Sequence, residues 1–140
     1  MSGQLVGGEV EEAVAALEAA LDQLTGLALY PLTQDELLTL LRRFETFRRR
    51  MPAIDHALVG ELEARSVAEA LGVRNTQAVL RDVLRLLPGE ATARVQAARW
   101  LGQRETITGE VLEPVFPQVA AAQAVGEVSP EQARVITMSI

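Results

Sequence analysis

The 140-residue chain contains no cysteine and no lysine. Without cysteine there is no disulfide framework, no thiolate-bound zinc or iron–sulfur cluster and no thiol nucleophile. Without lysine there is no phosphate-loop lysine, and no amine for a Schiff base or for pyridoxal phosphate. One histidine, His56, is too few for a multi-histidine metal site. Aromatic residues make up only 4% of the chain. Long apolar runs are missing too. The longest uncharged stretch, Pro114 to Gly126, is thirteen residues and broken by Pro117, whereas a membrane-spanning helix needs about 20. No base precedes Arg42, so the positive start of a secretory signal is absent. These absences point to a cytoplasmic domain with no membrane partner, no cofactor, no metal and no evident small-molecule substrate.

What remains is a helix-former's composition. Alanine and leucine supply 21 and 20 residues, and the length suits one domain with its own core. Residues 1–8 are small and glycine-rich and read as a disordered N-terminus. Residues 9–140 read as a single helical domain: a hairpin over 9–65 and a bundle of short helices over 66–140. A first helix is expected from about Glu9 to Thr25, with Val10, Val14, Leu17, Leu21 and Leu24 in a heptad seam. Thr33 and Glu36 form a capping box for a second helix reaching about Arg65. Its seam is Leu37, Leu40, Phe44, Phe47, Met51, Ile54 and Leu58, and Pro52 interrupts it. Two such helices on a short loop read as an antiparallel hairpin or as half of an intermolecular bundle.

Shorter helices follow. Ser66 and Glu69 suggest another capping box before a stop at Gly72. Asn75 or Thr76 caps the next helix, with an apolar face of Val79, Leu80, Val83, Leu84 and Leu87. Pro88 and Gly89 make a turn into a helix from Glu90 to Leu101 that buries Ala91, Val95, Ala98 and Trp100 or Leu101. An alanine-rich helix after Pro114 and Pro117 stops at Gly126. The last begins at the Ser129-Pro130 cap. No strand pattern is visible. The expected fold class is all-α with about seven helices.

Net charge is -6, unevenly spread. Residues 1–40 carry seven acids and no base, residues 41–52 are net +4 and residues 71–104 are again net +4. The candidate phosphate-contacting residues are Arg42, Arg43, Arg48, Arg49, Arg50, Arg74, Arg81, Arg85, Arg94 and Arg99. Guanidinium forks suit phosphate and carboxylate alike, so the same bands also read as solvated, internally paired helix faces. The segment Ala64 to Val83 partly matches a helix-turn-helix, but Arg81 stands where that motif wants an apolar contact. Asp55 and His56 are the only carboxylate–imidazole neighbours. Adjacent helical residues diverge by about 100°, so they do not form a catalytic pair.

Several segments carry a resemblance. Arg48-Arg49-Arg50-Met51-Pro52-Ala53-Ile54-Asp55-His56 is similar to an RRRLPAVDH segment. Gly89-Glu90-Ala91 with Arg94, Val95 and Ala98 resembles an EARRR helix. Thr108-Gly109-Glu110 with Leu112 and Pro114 resembles LTGEPLxP, and Ala120 to Gln123 with Gly126 and Ala133 to Ile136 resembles that family's ending. Together these resemble the actinobacterial 13E12-repeat family over about residues 33–140. Two stretches depart from it: Leu87-Pro88, where the family has a serine cap, and the loose match over 57–86. The resemblance implies a helical domain that precedes an HNH endonuclease domain in proteins linked with mobile elements. With one histidine and no cysteine, this chain carries none of that nuclease's catalytic residues and reads as a truncated piece. The expected function is thus a non-catalytic accessory domain that contacts DNA weakly and without sequence preference. The competing expectation is a self-association or partner-binding module, a homodimer included, that uses the heptad seams.

Overall fold

A computed structural model describes Leu5, residues 7–105 and residues 108–139. Of the expected disordered segment 1–8, residues 1–4 and 6 lie outside the described residues. The fold is all-α. Seven helices occur among the described residues: α1 (Gly8–Gly26), α2 (Gln34–Ala64), α3 (Val67–Ala70), α4 (Thr76–Leu84), α5 (Pro88–Leu101), α6 (Pro117–Ala124) and α7 (Pro130–Met138). One strand pair was not expected. β1 (Arg104–Glu105) pairs antiparallel with β2 (Val111–Leu112), Arg104 opposite Leu112. Two residues per strand are too few to show an alternating pattern, which is why the sequence hides them.

The chain divides into two compact units, residues 1–40 and 41–140. In the first, α1 opens with Glu9 and Glu11, acids favoured at the positive end of the helix dipole. None of its residues is buried. After the link 27–33, the Thr33–Glu36 capping box forms as expected: Glu36 N–H donates to Thr33 Oγ1 at 3.1 Å and Thr33 N–H to Glu36 Oε1 at 3.1 Å.

The second unit has a small, tight core of Val59 on α2, Leu80 on α4, and Ala91, Val95 and Ala98 on α5. Ala91 and Val95 are fully shielded. Their small side chains at i, i+4 spacing, with Ala98 three residues on, let neighbouring helices approach closely. Leu62 and Leu86 pack at the margin. Asn75 caps α4, its Oδ1 accepting from Ala78 N–H at 2.9 Å. Ser129 and Gln132 make a reciprocal capping box at α7, with Pro130 in the first turn. The chain reverses after α3 and after α6 in the same way. Val73 N–H reaches Ala68 O and Gly72 N–H reaches Glu69 O; Glu127 N–H reaches Ala122 O and Gly126 N–H reaches Gln123 O. Each is a Schellman closure with a glycine at positive φ, +71° for Gly72 and +82° for Gly126.

Four local expectations are corrected. Ser66 adopts a left-handed conformation and makes no side-chain cap, so the second capping box does not form. Pro88 and Gly89 are the first residues of α5 rather than a turn, since proline is well placed where no N–H is needed. On α4 the buried side is Thr76, Ala78, Val79 and Leu80, while Val83, Leu84 and Leu87 are exposed. On α2 the buried residues are His56 and Val59, not the heptad seam. Phe47, Met51, Ile54 and Leu58 of that seam are exposed by 42–62%. The seam and the buried face lie on different sides of one long helix, and from Phe47 to Leu58 the seam is exposed.

Candidate nucleic-acid interface

The structure sorts the ten candidate arginines by what already holds them. On α2, Glu45 serves two: Arg49 Nε lies 3.1 Å from its Oε2 and Arg48 Nη1 3.7 Å from its Oε1. On α5, Arg94 meets Glu90 at 2.7 Å and Asp55 at 3.9 Å. Arg99 grips Glu63 with both Nε and Nη2 at 3.1 Å, a bidentate pair that ties α5 to α2. These four are occupied structurally. Arg42, Arg43 and Arg50 on α2, and Arg74, Arg81 and Arg85 around α4, are exposed, and within the described residues of the second unit no carboxylate lies in ion-pair range of them.

Arg74, Arg81 and Arg85 sit on one supersecondary element. Arg74 precedes the Asn75 cap, Arg81 lies in the last turn of α4, and Arg85 is its left-handed C-cap residue. The α3–Gly72–α4 arrangement is a helix, a glycine turn and a capped helix. α3 is only four residues long, so the first helix of a full helix-turn-helix is not completed. Arg81, which spoiled the motif in the sequence, is exposed and faces away from the core. Arg134 on α7 is a further exposed arginine with no ion pair among the described residues. It escaped the candidate set because it stands alone amid residues of opposite charge.

A groove of about 900 Å³ runs between α2, α5 and α7, lined by Met51, Asp55, His56, Arg94, Trp100 and Gln123 among others. Trp100 stacks edge-to-face on Phe116 with centroids 5.9 Å apart. His56 is buried, and desolvation holds its pKa below the ordinary 6.5, opposed in part by the Asp55 charge. The neighbouring Asp55 carboxylate lies 3.9 Å from Arg94. Gln123 is buried with its Oε1 unpartnered. Among the described residues, no group of three or more His, Asp or Glu side chains is placed to hold a metal, and no helix is long and apolar enough to cross a membrane.

The class so defined is an all-α module with two arginine bands and, among its described residues, no cluster of three or more metal-ligating side chains. The chain belongs to the family described as domain of unknown function DUF222, whose profile matches residues 38–140. It is similar to the uncharacterized protein Rv1128c of Mycobacterium tuberculosis strain H37Rv, 39% identical over 128 residues, covering 91% of this chain and 28% of that protein. It is also similar to the uncharacterized protein Mb1179c of Mycobacterium bovis, at 37% over 128 residues with 91% and 28% covered. The chain thus spans less than a third of the curated relatives it matches. No solved structure matches it.

Proposed function

We propose that this chain is a non-catalytic helical accessory module that contacts DNA phosphates through Arg74, Arg81 and Arg85. The observation that carries the reading is the division of labour among the arginines. Arg48, Arg49, Arg94 and Arg99 are committed to carboxylates. The three around α4 are exposed on a capped helix and keep their forks for an outside anion. The resemblance to 13E12-repeat proteins supports a context in a longer, HNH-endonuclease-like, mobile-element-associated protein, in which this module positions DNA and another domain cuts it. With an acidic whole at net charge -6, binding is weak, independent of sequence and steeply salt-dependent. The test is a salt-titrated binding assay on duplex DNA comparing wild type with Arg74→Gln/Arg81→Gln/Arg85→Gln. Glutamine is nearly as good a helix former, so the fold stays and most binding is lost. Equal binding by the variant, or none by wild type at low salt, overturns the reading.

A second reading has its own observation. The apolar seams of α1 and α2 are exposed over Val10, Val14, Leu17, Leu21, Leu24, Phe47, Met51, Ile54 and Leu58. Exposed apolar surface of that extent marks an interaction face. It supports a self-association module, and this coexists with DNA contact because the residues differ.

A further inference from the structure

Heptad positions on the two long helices carry opposite charges where a partner helix would read them. On α1, with Val14 and Leu21 at a and Val10, Leu17 and Leu24 at d, the e positions are Glu11 and Glu18. On α2, with Phe44, Met51 and Leu58 at a and Phe47 and Ile54 at d, the g positions are Arg43 and Arg50 and one e position is Arg48. The e and g positions flank the apolar seam and select partner and orientation. Arg43 and Arg50 are exposed and have no ion-pair partner among the described residues of the second unit, and every α1 seam residue is exposed.

We propose, resting on the self-association reading, that two copies of this chain pair by laying α1 of each parallel to α2 of the other. In this register Phe47 meets Val10, Met51 meets Val14, Ile54 meets Leu17 and Leu58 meets Leu21. Arg43 then stands beside Glu11 and Arg50 beside Glu18, the g-to-e′ contacts of a parallel pair. Pairing like with like is poorer on charge. Two α2 helices in parallel set Arg43 against Arg48, which offsets the one favourable contact of Arg50 with Asp55, and two α1 helices offer Glu11 and Glu18 no base. One chain cannot make the parallel pairing by itself. The register puts Gly26 level with Glu63, about 44 Å along the helix from Gln34, and the link 27–33 spans at most about 28 Å. A two-fold axis makes both contacts at once, and four helices share one apolar interior.

The absence of native cysteine makes the test direct. Sedimentation equilibrium of the full chain reads the association, and a short bismaleimide reads the pairing in Glu18→Cys and Arg50→Cys variants. The expected result is a dimer by sedimentation, with cross-linked dimer in the 1:1 mixture of the two variants and little in either alone. Separately, Arg43→Glu/Arg50→Glu weakens dimerisation on the order of tenfold. A chain that stays monomeric overturns both the pairing and the self-association reading. A dimer that cross-links as well within one variant as in the mixture, or not at all in the mixture, overturns the pairing and leaves self-association standing.

Discussion

Asp55 and His56 are one backbone step apart and live in different electrostatic worlds. Asp55 is partly exposed and near Arg94, while His56 is 5% exposed and its charged form is penalised by burial. The consequence is a pH dependence of definite sign. A depressed native pKa means that the unfolded chain binds the proton more readily, so the contribution of His56 is present above pH about 6.5 and is lost as pH falls through the lower native value. Replacing His56 with leucine removes that titration. The drop in melting temperature between pH 7 and pH 5 is therefore smaller in the variant than in wild type; an unchanged pH profile contradicts the assignment. A second residue-scale contrast lies in the two positive-φ glycines that close helices, Gly72 and Gly126. A Cβ on Gly72 meets nothing within 4 Å, whereas on Gly126 it falls 2.8 Å from Thr46 O and 2.7 Å from Thr46 Cγ2. Gly72→Ala costs only the left-handed conformation, about 1–2 kcal/mol, and Gly126→Ala costs more because α2 backbone must also move. Chemical denaturation of both variants measures the difference.

At the scale of elements, α2 carries two apolar faces with different fates. Val59 belongs to the face packed into the core, and Phe47, 42% exposed, belongs to the seam that is not. Removing Leu80, 4% exposed and part of the core cluster, costs about 2–5 kcal/mol as alanine. Phe47→Ala costs the isolated chain about 1 kcal/mol or less, and its effect appears instead in self-association. Thermal melts at low protein concentration separate the two. Phe44 contacts Phe47 edge-to-face at 5.7 Å and is half-buried. Sequence alone places Phe44 and Phe47 in one covered seam, whereas the structure keeps Phe44 partly covered and exposes the seam from Phe47 onward. α4 rests on its cap: Asn75→Ala loses the bond to Ala78 N–H and about 1 kcal/mol.

Across the whole molecule, charge segregation is the dominant feature. An acidic first helix and two arginine bands divide the tasks proposed here between partner chain and DNA. If Arg74, Arg81 and Arg85 each neutralise one phosphate, log K falls with log salt at a slope near -2.7, that is about -0.9 per contact, and the triple glutamine variant flattens it. A slope unchanged in that variant places the contacts elsewhere.

Helix number, most helix boundaries, the caps at Thr33, Asn75 and Ser129 and the stops at Gly72 and Gly126 were all legible in the chain, because each depends on hydrogen bonds between residues three to five apart. The absence of cysteine and lysine likewise limited the chemistry before any fold was known. The burial of α2 was not legible. Heptad spacing identifies an apolar stripe but not whether anything covers it, and the covering depends on residues such as Ala91 and Val95, more than thirty positions away. Nor could the sequence say which arginines were spent. Arg99 and Glu63 are 36 residues apart, and only packing α5 on α2 brings them into a bidentate pair, whereas Arg74, Arg81 and Arg85 meet no ion-pair partner among the described residues of the second unit. Local order was written in short-range hydrogen bonding; availability of a surface was decided by long-range contact.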